Sequence, residues 1–182
     1  MRKIILQTML SMNGYFEGPN STIDCHVVDE EFNKYTIDFL DQVDVLLFGR
    51  ITYELMANYW PTAIVDNPII ATKMNEITKI VFSKTLANVK WKNSILVYNN
   101  VKKEVAKLKK QQGKDIAIFG SSSLAATLIE QKLIDEVRIF INPIVLGEGK
   151  TLFQGIQNRI SLKLIQTKTF QSGNVLLYYQ PL

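Results

Sequence analysis

Val45-Leu46-Leu47-Phe48-Gly49-Arg50-Ile51-Thr52-Tyr53-Glu54 is an unbroken apolar run that ends in a glycine, a cation and a hydroxyl. A strand made from four consecutive apolar residues is covered on both faces, as strands of a parallel sheet are. The glycine turns the chain, and the residues after it open a loop or helix. The arrangement recurs twice. Ile80-Val81-Phe82 runs into Ser83-Lys84-Thr85, and Ile116-Ala117-Ile118-Phe119 runs into Gly120-Ser121-Ser122-Ser123-Leu124. Ligands of open α/β sheets bind at the carboxyl ends of the strands. Glycine lets the backbone approach a phosphate, and a following helix offers free N–H groups at its positive dipole end. Hydroxyls and cations add charge-assisted hydrogen bonds. None of the three turns carries the GKS/T ending of a phosphate loop or the GxGxxG fingerprint. Their repetition in one small sheet is what points to a phosphorylated nucleotide.

Working outward, strands are expected at Lys3–Leu10, Val43–Phe48, Lys79–Ser83, Ile95–Tyr98, Ile116–Phe119 and Val137–Asn142. Phe32, Tyr35, Phe39 and Val43 fall at helical spacing, which predicts an amphipathic helix from Asp29 to about Gln42. Asn67-Pro68 places a capping side chain before a first-turn proline and starts a helix toward Ile77. Val101, Val105 and Leu108 form the stripe of a third helix closed by Gly113, and Leu124, Leu128 and Ile129 mark a fourth. Strand–helix alternation implies parallel pairing through right-handed crossovers. The chain's end differs: Ile160–Phe170 and Asn174–Gln180 flank Gln171-Ser172-Gly173, a hairpin signal. The expected class is α/β, a mostly parallel sheet flanked by helices with an antiparallel C-terminal hairpin.

Composition bounds the rest. The 182 residues, 47% hydrophobic and 21% charged, suit a single globular domain over 1–182. Cys25 is alone and there is one histidine, His26, so neither a disulfide framework nor a Cys/His zinc site is expected. Met1-Arg2-Lys3-Ile4-Ile5-Leu6 is interrupted by Gln7, Thr8, Ser11 and Asn13, which suits a first strand better than a signal peptide. No run approaches the ~18 apolar residues of a membrane helix. A cytoplasmic location follows as the expectation. The net charge of +4 is mild. Lys102, Lys103, Lys107, Lys109 and Lys110 read as one solvated helix face, with no nucleic-acid footprint.

Gly49-Arg50-x-Thr52-Tyr53-Glu54, Ser83-Lys84 and Phe119-Gly120-Ser121 together resemble the dihydrofolate reductase superfamily. They resemble most closely the reductase domain of riboflavin biosynthesis, the C-terminal part of the bifunctional deaminase-reductase, and its bacterial relatives. Three further segments carry this likeness: Ser11-Met12-Asn13-Gly14-Tyr15, Leu133-Ile134-Asp135-Glu136-Val137, and Pro143-Ile144-Val145-Leu146-Gly147-Glu148-Gly149 with Leu152-Phe153. The matches run in order from near residue 4 to near residue 180.

The resemblance implies an NADPH-dependent oxidoreductase that reduces a C=N or C=O bond of a small pteridine-, aminopyrimidine- or carbonyl-like molecule. It places Gly49, Arg50, Thr52, Gly120, Ser121, Ser122 and Leu124 around the cofactor pyrophosphate, and Ser83 and Lys84 at the 2′-phosphate. The chemistry agrees, because a donor and a cation suit a dianionic phosphate where a carboxylate would favour the bare ribose hydroxyl. Catalytic candidates are Asn13, Asp24 and Glu30, with Asp29 as a further carboxylate near the first helix. Asn13 stands where aspartate is common, and Phe119 where the riboflavin-pathway members carry glutamate. Tyr15 is the candidate for a substrate-pocket aromatic, ahead of Phe32, Tyr53 and Trp60. The alternative is a non-catalytic NADPH binder of the same fold. The likeness also implies a homodimer built through the β-rich segments after Val137, where Phe140 lies opposite Val137, Ile139 and Ile141 and where Val175-Leu176-Leu177-Tyr178-Tyr179 is apolar on both faces.

Overall fold

A computed structural model describes residues 1–23, 26–65 and 67–182. β1 (Ile4–Ser11) runs parallel between β6 (Asp115–Phe119) and β7 (Glu136–Asn142). On the far side of β6 the parallel pairing continues through β3 (Val43–Gly49), β4 (Thr78–Phe82) and β5 (Ser94–Val97). Beyond β7 the sheet turns antiparallel with β10 (Val175–Pro181) and β9 (Leu162–Thr169). The eight-stranded order is β5-β4-β3-β6-β1-β7-β10-β9, and its mostly parallel course with an antiparallel C-terminal hairpin is the class expected from the sequence.

Alternation along the apolar runs explains why both faces of this sheet are buried. Val45 and Leu47 join Leu6 and Ile118 under α4 (Val101–Lys110) and α5 (Ser122–Glu130). Leu46 and Phe48 join Ile5 under α1 (Glu30–Leu40), α2 (Arg50–Tyr59) and α3 (Pro68–Glu76). Asp29 caps α1, its carboxylate accepting the Phe32 N–H at 2.7 Å, and that bond holds the acid below its usual range.

Four expectations change in detail. Pro68 does open α3, but the Asn67 side chain makes no capping bond. α4 stops at Lys110, before Gly113, whose φ of +149° serves a loop packed against Arg2 and Asp44. Lys109 is buried and leaves the basic face: its ammonium donates to both Asp135 oxygens at 2.8 and 2.6 Å and to the Leu133 carbonyl at 3.3 Å. Finally, the Phe140 face of β7 is covered within the chain, with the ring edge-on to Phe32 at 5.0 Å and to Tyr35 at 5.3 Å. Leu176 of β10 is fully buried in the same cluster, so this one face is hidden within the chain, while Leu177, Tyr178 and Tyr179 of β10 stay half-buried.

A small antiparallel pair was not expected: β2 (Tyr15–Glu17) with β8 (Lys150–Thr151).

Asp135 accepts from Lys109 and also from the Ile4 N–H at 2.8 Å, so one carboxylate joins α4, the start of β1 and the start of β7. Asp135→Ala is expected to lower stability by about 2 kcal/mol. That is below the usual cost of breaking a buried pair, because 35% of the Asp135 side chain is open to water. Urea unfolding measures it, and a midpoint unchanged from wild type would show that the carboxylate contributes nothing.

Candidate functional site

Parallel register brings the three turns to one level. Gly49 pairs with Phe82, Leu47 with Ile118, and Gln7 with Phe119, so β3, β4 and β6 release their chains along one edge. α2 opens after Gly49 and α5 after Ser121, and neither residue supplies a side-chain cap. The first-turn N–H groups of both helices therefore lack the usual side-chain acceptor, and both positive ends point to the same edge. The turns are locked together: the Gly49 N–H donates to Ser121 Oγ at 2.9 Å. A Cβ at residue 49 would run into that oxygen. Gly120 and Ser121 are both left-handed, with φ of +61° and +60°, which aims Ser121 back at Gly49.

Between these turns lies a cleft of about 430 Å³, lined by Gly49, Arg50, Thr52, Ser83, Lys84, Ser121, Ser122 and Leu124. Arg50 reaches Glu54 at 2.8 Å, both about half exposed. Ser83 Oγ accepts the N–H groups of Thr85 and Leu86 at 3.1 and 3.0 Å, a tight turn that holds exposed Lys84 at its apex. Lys84 pairs with no carboxylate among the described residues. Two helix N-termini, hydroxyls and an uncommitted cation make a site suited to an anion with several phosphates.

The strap formed by β2 and β8 walls the other side. Phe16, Glu17 and Lys150 line the same cleft, and Glu17 and Lys150 form an ion pair. The sequence reading missed all three, along with Tyr98 and Thr127. The available signal was adjacency, since Phe16-Glu17 follow Tyr15 and Lys150 follows the Gly147-Glu148-Gly149 segment. Gly120 is absent from the lining. Phe16 fills the space over it, and a Cβ there would lie 2.9 Å from Phe16 Cζ.

The other candidates go elsewhere. Asn13 Oδ1 accepts from Ser11 Oγ at 2.9 Å and from the Leu146 N–H at 3.1 Å, while Nδ2 donates to the Leu146 carbonyl at 2.7 Å. Its amide clamps two loops. Tyr15 packs against Gly149, and its N–H donates to Ser11 Oγ at 2.9 Å. Glu30 is an exposed first-turn residue of α1, and Asp24 and Cys25 lie outside the described residues. Tyr53 is core: its hydroxyl accepts the N–H groups of Lys90 and Trp91, both at 3.0 Å. Gln7, whose carbonyl accepts the Gly120 N–H at 3.3 Å, is itself held by Tyr35, which donates to Oε1 at 3.0 Å. Burial raises the Tyr35 phenol well above its usual pKa, and the adjacent Arg138 acts in the opposite sense. It stays a neutral donor.

Fold and cleft together define a dihydrofolate reductase-like α/β protein with an anion-suited groove at its strand carboxyl ends. Residues 2–176 match the RibD C-terminal domain, and the chain belongs to that family. It is 38% identical over 182 residues to the uncharacterized protein YyaP of Bacillus subtilis, covering 98% of this chain and 94% of that one. A putative riboflavin biosynthesis protein from Shewanella sp. PV-4 superposes with a TM-score of 0.76 at 21% identity, covering 99% of both chains. Dihydrofolate reductase from Enterococcus faecalis, solved with NADP(H), superposes at 0.64 with 15% identity, covering 98% of this chain and 96% of that one.

Gly120→Ala is expected to lower stability by about 2 kcal/mol, roughly half from a non-glycine residue at positive φ and half from the clash with Phe16. In a Phe16→Ala background the cost should fall to about 1 kcal/mol. Equal costs in both backgrounds, measured by urea unfolding, would show that Phe16 is not what requires the glycine.

Proposed function

We propose that this chain is an NADPH-dependent reductase acting on a C=N or C=O bond of a small pteridine-, aminopyrimidine- or carbonyl-like molecule. The observation that carries this reading is the convergence of the α2 and α5 N-termini on one cleft with Ser83 and Lys84 at its rim. The residues present fit a dinucleotide with three phosphates. Arg50, Thr52, Ser122 and Leu124 hold the pyrophosphate through main-chain N–H groups and hydroxyls, and Gly49 and Ser121 shape the turns around it, the Gly49 N–H being kept by Ser121 Oγ. Ser83 and Lys84 hold the 2′-phosphate, Lys84 being free of any carboxylate among the described residues. NADPH supplies a hydride from its nicotinamide ring when bound. The chain's part is to fix that ring against the substrate, with Phe16 excluding water from the cleft above Gly120.

A second reading has two observations behind it. The Asn13 amide is committed to Leu146 and Ser11, and Glu30 is out in solvent, which favours a protein that holds NADPH without turning it over. Steady NADPH oxidation against dihydropterins, aminopyrimidine ribosides and simple carbonyls separates the two. Binding with no oxidation on any of them supports the second.

Lys84→Glu is expected to weaken NADPH at least tenfold while changing NADH by less than threefold, read by fluorescence titration. Equal losses for the two would remove Lys84 from the 2′-phosphate.

The same reading includes a homodimer in the cytoplasm. No helix among the described residues is long and apolar enough to cross a membrane. β9 has one strand neighbour and leaves Leu164 and Ile165 at 49% and 55% exposure, beside a groove of about 1190 Å³ that Arg138 and Tyr178 help to line. A second copy of β9 and β10 would cover that edge. Light scattering at micromolar concentration should give twice the 20.8 kDa of one chain, and a mass of 20.8 kDa would overturn the dimer.

A further inference from the structure

The strap is built so tightly that the place of Lys150 is set by the backbone. Residue 149 has no room for a side chain: a Cβ there would run into the Glu17 carbonyl and lie 3.0 Å from Tyr15 Cγ. Lys150 then pairs directly opposite Glu17 across β2 and β8, and the two side chains form an ion pair facing the cleft. The Glu17 carboxylate is 10% exposed, whereas the Lys150 side chain is 54% exposed. The acid is in the wall, and about half of the Lys150 side chain is open to water.

The sheet order says where along the cleft this pair sits. β4, β3 and β6 are successive neighbours, so Lys84 stands at one end and the N-termini of α2 and α5 follow in the middle. The strap, with Phe16 on Gly120, comes last, past β6 on the β1 side. Lys84 and Lys150 therefore flank the two helix ends.

We infer that Lys150 is a second phosphate-binding cation of the nucleotide cleft, reserved for the pyrophosphate phosphate on the nicotinamide side and held by Glu17 until nucleotide arrives. This rests on the nucleotide reading of the cleft and adds to it a residue at the end opposite Lys84. The Lys150 ammonium is contested between anions: the Glu17 carboxylate pairs with it in the free protein, and the phosphate competes for it in the complex. A carboxylate in the wall of an anion site weakens binding in proportion to the attraction it keeps for that ammonium, so the pair sets the affinity and its dependence on salt.

Two ligands separate this role from the rest of the site. Adenosine 2′,5′-diphosphate carries the 2′-phosphate and the adenosine-side phosphate only, whereas NADP+ carries the nicotinamide-side phosphate as well. By calorimetry, Lys150→Met is expected to weaken NADP+ about tenfold and adenosine 2′,5′-diphosphate less than twofold. Lys150→Arg should keep NADP+ within about threefold of wild type. Glu17→Gln removes the competing anion and should tighten NADP+ at low salt, a gain that fades as salt rises. Thermal melts of each variant show that it is folded. If Lys150→Met leaves NADP+ unchanged, weakens both ligands alike, or is not rescued by arginine, the inference falls while the nucleotide reading stands. Weaker NADP+ binding in Glu17→Gln would make the pair a structural tie and would also overturn it. If the wild-type protein binds neither ligand, the nucleotide reading falls and takes this inference with it.

Discussion

The hydrogen bond from the Gly49 N–H to Ser121 Oγ is the contact on which the site depends. It joins the turn after β3 to the turn after β6, and it exists only because residue 49 has no side chain to keep Ser121 away. It also spends the Ser121 hydroxyl on a neighbouring turn, so that α5 begins without a side-chain cap. α2 begins uncapped for the simpler reason that glycine has nothing to cap with. Two helices that forgo this stabilisation at one edge leave donor groups there for something else to satisfy. Local stability is given up where an anion would restore it.

The apolar runs made the sheet legible. Residues with no alternation had to be buried on both faces, and the glycine or hydroxyl after each run marked the carboxyl ends that now share one edge. Cofactor-side candidates at those ends line the cleft, Gly120 excepted. Its glycine character was legible, but its reason was not: the demand comes from the Phe16 ring, more than a hundred residues earlier in the chain. A single sequence shows that a position needs glycine without showing which atom presses on it.

What stayed hidden was tertiary in origin. Lys109 sits among four exposed lysines on one short helix, and only the approach of Asp135 from the α5–β7 connection turns it inward. Asn13 had the chemistry of a substrate-facing amide, yet the Leu146 main chain meets both ends of that amide. The strap is three residues against two, below the length at which hydrophobic alternation can signal a strand. Phe140 was correctly placed opposite Val137 and Ile139, but the identity of its cover was undetermined until α1 was seen to lie on it.

The segment from Ser11 to Glu17 ties the cleft to the loop at Leu146. Ser11 Oγ accepts the Tyr15 N–H and donates to Asn13, Asn13 grips Leu146, and Tyr15 pairs with Thr151 before Phe16 and Glu17 reach the cleft. Each contact ties this segment to residues 146–151, so the two stretches form one unit fastened at several points. Phe16 and Lys150, which wall the cleft from that unit, cannot shift far without straining the Asn13 clamp at its other end. Asn13 is therefore joined to the cleft mechanically, through a chain of hydrogen bonds and strand pairs. A polar residue can shape a cleft in this way without lining it.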